Sequence, residues 1–231
     1  MTIYLLSDDL FFPQPDLAGK DGLLAVGGDL SKERLLLAYH NGIFPWFSDD
    51  EPIIWWSPDP RLVLYPDELK ISRSLKKTIK KNIFNITMDT AFEEVINACA
   101  KVRTMQKKET WIVDEMIKAY CGLHKSGFAH SVEVWHQEKL VGGVYGVSLG
   151  RCFFGESMFT LVRDASKVAI VYLVEFLTPL SFKLIDCQVT TDHMIRFGAR
   201  EIDRKRFLKE LKASLDAPTI RGKWEFGQKK N

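Results

Sequence analysis

The stretch from His130 to Phe159 limits the fold more than any other. Three apolar, strand-like runs follow one another there: HSVEVWH (130–136), KLVGGVYGVSL (139–149) and RCFFGESMF (151–159). The links between them are too short for a crossover, so the runs predict an antiparallel meander. A helix from about Asp164 to Leu177 and a further strand over 183–189 come next. Upstream, helices are expected over 31–40 (Ser31 as cap, Asn41-Gly42 as stop), over 70–81, from a capping box at T90-A-F-E93 to about Val102, and over 113–125. A short helix near His193 and a last one over 204–215 complete an α+β chain with a mixed sheet. The first sixty residues, broken by FFPQPD, GGDLS, NGIFPWF and WWSPDPR, read as a small N-terminal domain (1–63) made mostly of loops. Regular patterning after Arg61 marks the start of a larger domain (64–231), whose tail RGKWEFGQKKN reads as irregular.

Composition narrows the function classes. The chain has 231 residues, 46% hydrophobic and 27% charged, as an ordinary soluble globular protein does. No apolar run approaches the roughly 18 residues of a membrane helix, and the N-terminus lacks a secretory pattern. Cysteines 99, 121, 152 and 187 are scattered, which fits reduced thiols in the cytosol. Neither they nor the five histidines show ligand spacing, so no metal is expected. The expected helix after Asp164 opens with R163-D-A-S-K-V-A, without the glycines of a pyrophosphate-holding loop, which counts against coenzyme A. Walker and Rossmann fingerprints are also absent, so no cofactor is expected.

Four features carry candidate chemistry. In L184-I-D-C-Q-V189, strand alternation puts Ile185, Cys187 and Val189 on one face and Asp186 and Gln188 together on the other. Glu156 stands among apolar residues in the preceding strand. If the strands are neighbours, Glu156, Asp186 and Gln188 converge, and such groups suit a cationic amine or guanidinium. The other reading makes the carboxylates ends of internal salt bridges. The loops G42–F47 and I53–R61 crowd Phe44, Trp46, Phe47, Trp55 and Trp56 together, as a small core or as a stacking surface for a base. The expected helix over 164–177 has a stripe of Ser166, Ile170, Leu173 and Leu177, either core or pocket wall with Met158. Finally, KISRSLKKTIKK (70–81) holds six basic and no acidic residues. On a helix it places Arg73, Lys76, Lys77 and Lys80 opposite Ile71, Leu75 and Ile79, a solvated face or a track for a phosphate backbone.

Together G22-L-L-A-V-G-G-D-L30, G42-I-F-P-W-F47, W55-W-S-P-D-P-R61, G155-E-S-M-F159, A165-S-K167 and L184-I-D-C-Q188 resemble the leucyl/phenylalanyl-tRNA–protein transferase family, from about residue 20 to residue 205. The resemblance implies a small N-terminal domain and a larger N-acetyltransferase-like domain. It implies transfer of Leu or Phe, more weakly Met, from aminoacyl-tRNA to proteins beginning with Arg or Lys, which are thereby sent to proteolysis. Such an enzyme is expected in the cytoplasm, as a monomer, without ATP, metal or coenzyme A. By the same resemblance Asp186 holds or deprotonates the α-amine, Gln188 positions the reacting groups and Glu156 holds the cationic acceptor. Trp111, Ser157, Met158, Ile170, Leu173 and Trp46 surround the aminoacyl and adenosine groups, while Arg73, Lys76, Lys77 and Lys80 meet the tRNA backbone. Two other classes stay open: an RNA-binding module without catalysis, and an acyltransferase with another donor.

Overall fold

The computed structural model describes residues 3–105 and 112–226. Its elements run β1 (Tyr4–Leu6), β2 (Leu23–Gly27), α1 (Lys32–His40), β3 (Phe44–Pro45), β4 (Ile54–Trp56), β5 (Arg61–Leu64), α2 (Arg73–Lys80), β6 (Asn85–Met88), α3 (Phe92–Met105) and α4 (Asp114–Lys125). They continue with β7 (Ala129–His136), β8 (Lys139–Leu149), β9 (Cys152–Thr160), α5 (Ala165–Leu177), β10 (Leu184–Gln188), α6 (Asp192–Ile195), β11 (Arg200–Ile202) and α7 (Arg204–Leu215). The meander is present as β7, β8 and β9, antiparallel throughout. Ser31 caps α1 by accepting from the Arg34 amide. At the start of α3 the Thr90 hydroxyl instead donates to Glu133, 2.9 Å away.

The first sixty residues hold more order than their loop signals suggest. Strands β1–β4 form a four-stranded sheet in the order β1-β2-β4-β3. Each of its strands spans five residues or fewer, too short to show a period in the sequence. Trp55, expected in a loop, lies in β4 and is fully buried, and its indole N–H donates to the Gly27 carbonyl. The large sheet has seven strands in the order β11-β5-β10-β9-β8-β7-β6. Helices α3 and α4 pack on one face, together with α1, α7 and the small sheet, while α5 and α2 pack on the other.

Two interruptions of this sheet create the site. Strand β10 pairs parallel with β9 only from Leu184↔Cys152 to Asp186↔Phe154, after which the ladder stops. At that level both strands carry a bulge. On β9, Tyr145 faces Ser157 and Gly146 faces Gly155, so Glu156 is the extra residue. On β10, Val63 faces Asp186 and Leu62 faces Gln188, so Cys187 is the extra one. A bulge re-aims the side chains beyond it. Gly146 is required opposite the first bulge, because a Cβ there would stand 2.1 Å from the Phe154 carbonyl oxygen.

Candidate active site

Where β9 and β10 part, a cavity of about 560 Å³ opens through the sheet. Val144, Phe153, Met158, Ile170, Leu173 and Ile185 supply an apolar wall, and Trp46, exposed, also lines the cavity. The stripe on α5 divides: Ser166, Ile170 and Leu173 line the cavity, while Leu177 lies in the core behind it. Of the residues expected around the aminoacyl and adenosine groups, Trp46, Ser157, Met158, Ile170 and Leu173 are brought together here. Trp111 lies outside the described residues.

The alternation expected over 184–189 does not hold. Ile185 and Cys187 line the cavity instead of facing only core. Asp186 points to the other side of the sheet, fully buried, where Arg61 Nε and Nη2 donate to its two oxygens at 2.8 and 2.7 Å. The Arg61 guanidinium is itself held over the rings of Phe44 and Phe207, at 4.8 and 4.5 Å. Gln188 escapes that side because its backbone turns to a φ of 62° after the bulge, bringing its side chain into the cavity wall. Asp186 therefore meets Gln188 through the backbone: its Oδ1 accepts from the Gln188 amide at 2.9 Å. The internal salt-bridge reading of Asp186 describes its contacts, yet its charge, after burial as the first cause, raises the Glu156 carboxyl, so the three groups lie together and two of them line the cavity.

Those two are Glu156 and Gln188, joined across the gap by a 2.9 Å hydrogen bond from Gln188 Nε2 to Glu156 Oε1. Behind them, Tyr39 donates to Oε1 at 2.8 Å and Tyr120 to Oε2 at 3.0 Å. The two phenols also touch each other. With Glu156 ionised, three oxygen–oxygen contacts share two phenolic protons; a proton on Glu156 supplies the third. Burial pushes the Glu156 carboxyl up to about 7, against the hydrogen bonds from Tyr39, Tyr120 and Gln188. Burial, followed by the charge of Glu156, holds both phenols well above their usual value, so they remain donors. Sequence patterns alone gave no sign of Tyr39 or Tyr120, and Arg61, although it ends the Trp55–Arg61 motif, was given no role there. Each lies far from its partner along the chain, and no local period marks a distant hydrogen bond.

The basic helix is α2, and Arg73, Lys76, Lys77 and Lys80 are exposed on it, with no ion pair among the described residues. Its apolar side buries Leu75, and the helix packs on α5. Within the described residues no helix is long and apolar enough to cross a membrane.

A mixed sheet that parts around an apolar chamber, with a buried carboxyl and an amide at the parting, has the layout of a group-transfer enzyme. Comparison with known proteins makes that class specific. The profile of the leucyl/phenylalanyl-tRNA protein transferase matches residues 63–212, and that of its N-terminal domain matches residues 28–59. A leucyl/phenylalanyl-tRNA–protein transferase of Desulforapulum autotrophicum is 57% identical over 226 residues, covering 98% of this chain and 99% of its own. One from Syntrophobacter fumaroxidans is 58% identical over 225 residues, covering 97% and 96%. Among solved structures, an aminoglycoside acetyltransferase from an uncultured soil metagenomic sample has a TM-score of 0.39 at 15% identity, over 51% of this chain and 86% of that one. The chain belongs to the leucyl/phenylalanyl-tRNA–protein transferase family, and its architecture is α+β with a mixed seven-stranded sheet.

Proposed function

We propose that the cavity holds the Leu or Phe side chain, more weakly Met, of an aminoacyl-tRNA while the aminoacyl group passes to the α-amine of a protein beginning with Arg or Lys. The protein so extended is marked for degradation, and the reaction takes place in the cytoplasm on a monomer. One observation carries the acceptor choice: Glu156 is buried at the cavity and has no cationic partner among the described residues. A guanidinium or ammonium arriving there pairs with the carboxyl and draws it into its ionised form.

The chemistry asks little of the protein beyond placement. An aminoacyl ester is already activated, and a free α-amine with a pKa of roughly 7.7–8.0 is partly neutral at cytoplasmic pH. The amine nitrogen attacks the ester carbonyl and the C–N bond forms. The C–O bond to the ribose then breaks, the amine gives up one proton and the ribose oxygen gains one. Gln188 spends Nε2 on Glu156, which leaves its carbonyl oxygen as the acceptor that orients the amine. Asp186 acts at one remove: with Arg61 it fixes the backbone turn that presents Gln188.

The test is a mass measurement. Incubated with leucyl-tRNA, a peptide beginning with Arg should gain one leucyl residue. A matched peptide beginning with Glu, and the Arg peptide with its α-amine acetylated, should not. Equal transfer to the Glu peptide would sink the role given to Glu156. Binding of tRNA without any gain in mass would favour an RNA-binding module.

A further inference from the structure

The exposed residues lining the cavity are Trp46, Thr160 and Thr191. Thr160 ends β9 and leads through Arg163 into α5; Thr191 caps the N-terminus of α6 and Arg196 follows its last residue as the C-cap. These short paths put cations beside the mouth. Arg163 is 91% exposed, the Lys167 side chain 44%, and Arg196 is exposed. Lys167 and Arg196 both lie close enough to His193, itself part of the cavity wall, to hold its imidazole below the usual value, after burial as the first cause. Asp164 offsets part of the charge by pairing with Lys167 at 2.7 Å and Arg163 at 3.8 Å, and Asp192, exposed, stands in the first turn of α6. Asp164 has a second role: its Oδ2 accepts from Thr78 of α2 at 3.3 Å. Through Thr78 and Asp164, α2 with its unpaired cations adjoins the start of α5, where Arg163 and Lys167 lie.

We infer that Lys167 and Arg196, with Arg163 beside them, form a second phosphate-binding element that grips the single-stranded 3′ end of the aminoacyl-tRNA just outside the cavity. This rests on the aminoacyl transfer proposed above. An aminoacyl group seated in the cavity leaves its terminal nucleoside at the mouth, and the phosphodiesters before it must cross this rim. The face of α2 then holds the duplex further out. Contacts of this kind position the donor and read no base.

Three leucyl donors separate the two elements: leucyl-tRNA, a leucyl-CCA trinucleotide and leucyl-adenosine, the last without phosphate. The double variant Lys167→Gln/Arg196→Gln should raise KM roughly tenfold for both phosphate-bearing donors. It should flatten the slope of log KM against log salt by about 1.4, at about 0.7 per contact on a single strand. The penalty should disappear on leucyl-adenosine. Replacing Arg73, Lys76, Lys77 and Lys80 by Ala should penalise leucyl-tRNA alone. Lys167→Arg/Arg196→Lys, which keeps the charges, should restore most of the affinity. Fluorescence anisotropy with an uncharged CCA oligonucleotide reads the same rim without any transfer, so a failure of the transfer reading is told apart from a failure of this one. Equal losses on all three donors, or no change on leucyl-CCA and in anisotropy, would overturn the proposal.

Discussion

At neutral pH the Glu156 carboxyl stands between its two charge states, since burial holds it at about 7. A carboxyl whose folded pKa lies above its unfolded value of 4.5 binds more protons in the folded state between the two. Its contribution to stability is complete below about 4.5 and is lost as pH rises through about 7. Glu156→Gln keeps an acceptor for Tyr39 and Tyr120 but removes that penalty. Urea midpoints of the variant and the parent should therefore agree at pH 5, while the variant should be the more stable at pH 8. Activity should move the other way. With an Arg peptide, kcat/KM should climb through pH 7 in the parent, and in the variant only the later rise of the α-amine should remain. If the variant is destabilised at pH 8, the carboxyl is ionised at little cost and this account fails. Asp186 gives the opposite case. Its Arg61 pair is buried on both sides, so removing one partner with Asp186→Ala should cost about 3–5 kcal/mol in a denaturation curve. The double variant Arg61→Met/Asp186→Leu should recover much of that stability without recovering transfer. A double variant that regains full activity would show that the pair does nothing for Gln188.

The two bulges decide at the level of the strand which side chains meet. Gln188 sits at a φ of 62°, a region that asparagine and glycine tolerate and that β-branched residues enter only with strain. Gln188→Asn keeps an amide there but shortens its reach to Glu156. It should fold normally and lose rate at saturating donor, whereas Gln188→Val should lose stability as well. Equal melting temperatures for the two would argue that the turn is not held. This is also where reading the sequence reached its end. The meander and every helix longer than the four-residue α6 were legible because each gives a period eight residues or more in which to repeat. Part of the cavity wall was legible as well: Ser166, Ile170 and Leu173 through the stripe on α5, and Ser157 and Met158 through the motif around Glu156. A bulge adds one residue and reverses the parity beyond it, so alternation placed Asp186 on the same side as Gln188. Partners such as Tyr39 and Tyr120, 81 residues apart, leave no local trace.

Across the whole molecule the C-terminal segment bears on the cavity from behind. Trp224 belongs to no helix or strand, yet it is fully buried. It stacks on His130 with ring centroids 3.6 Å apart, and its backbone N–H donates to Asp89 at 2.7 Å. Its ring also meets Phe176 at 5.0 Å and Phe153, part of the cavity wall, at 6.1 Å. Trp224→Ala should cost about 3–5 kcal/mol. At roughly 2–4 °C per kcal/mol for a chain of this size, the melting temperature should drop by about 10 °C. The loss should depend on pH. Burial lowers the His130 pKa from its usual 6.5, against the pull of Asp89. The stability linked to a depressed pKa is present above the unfolded value and is lost as pH falls through the folded one. Without the indole, water reaches the imidazole and the depression shrinks, so acid takes less from the variant than from the parent. The gap between their melting temperatures should narrow from pH 7.5 to pH 5. Because Phe153 loses its backing, KM for a leucyl donor should rise even at 20 °C, where the variant is still folded. A gap that stays constant with pH would show that His130 is not sealed by Trp224. An unchanged KM would show that the wall of the cavity stands without the tail.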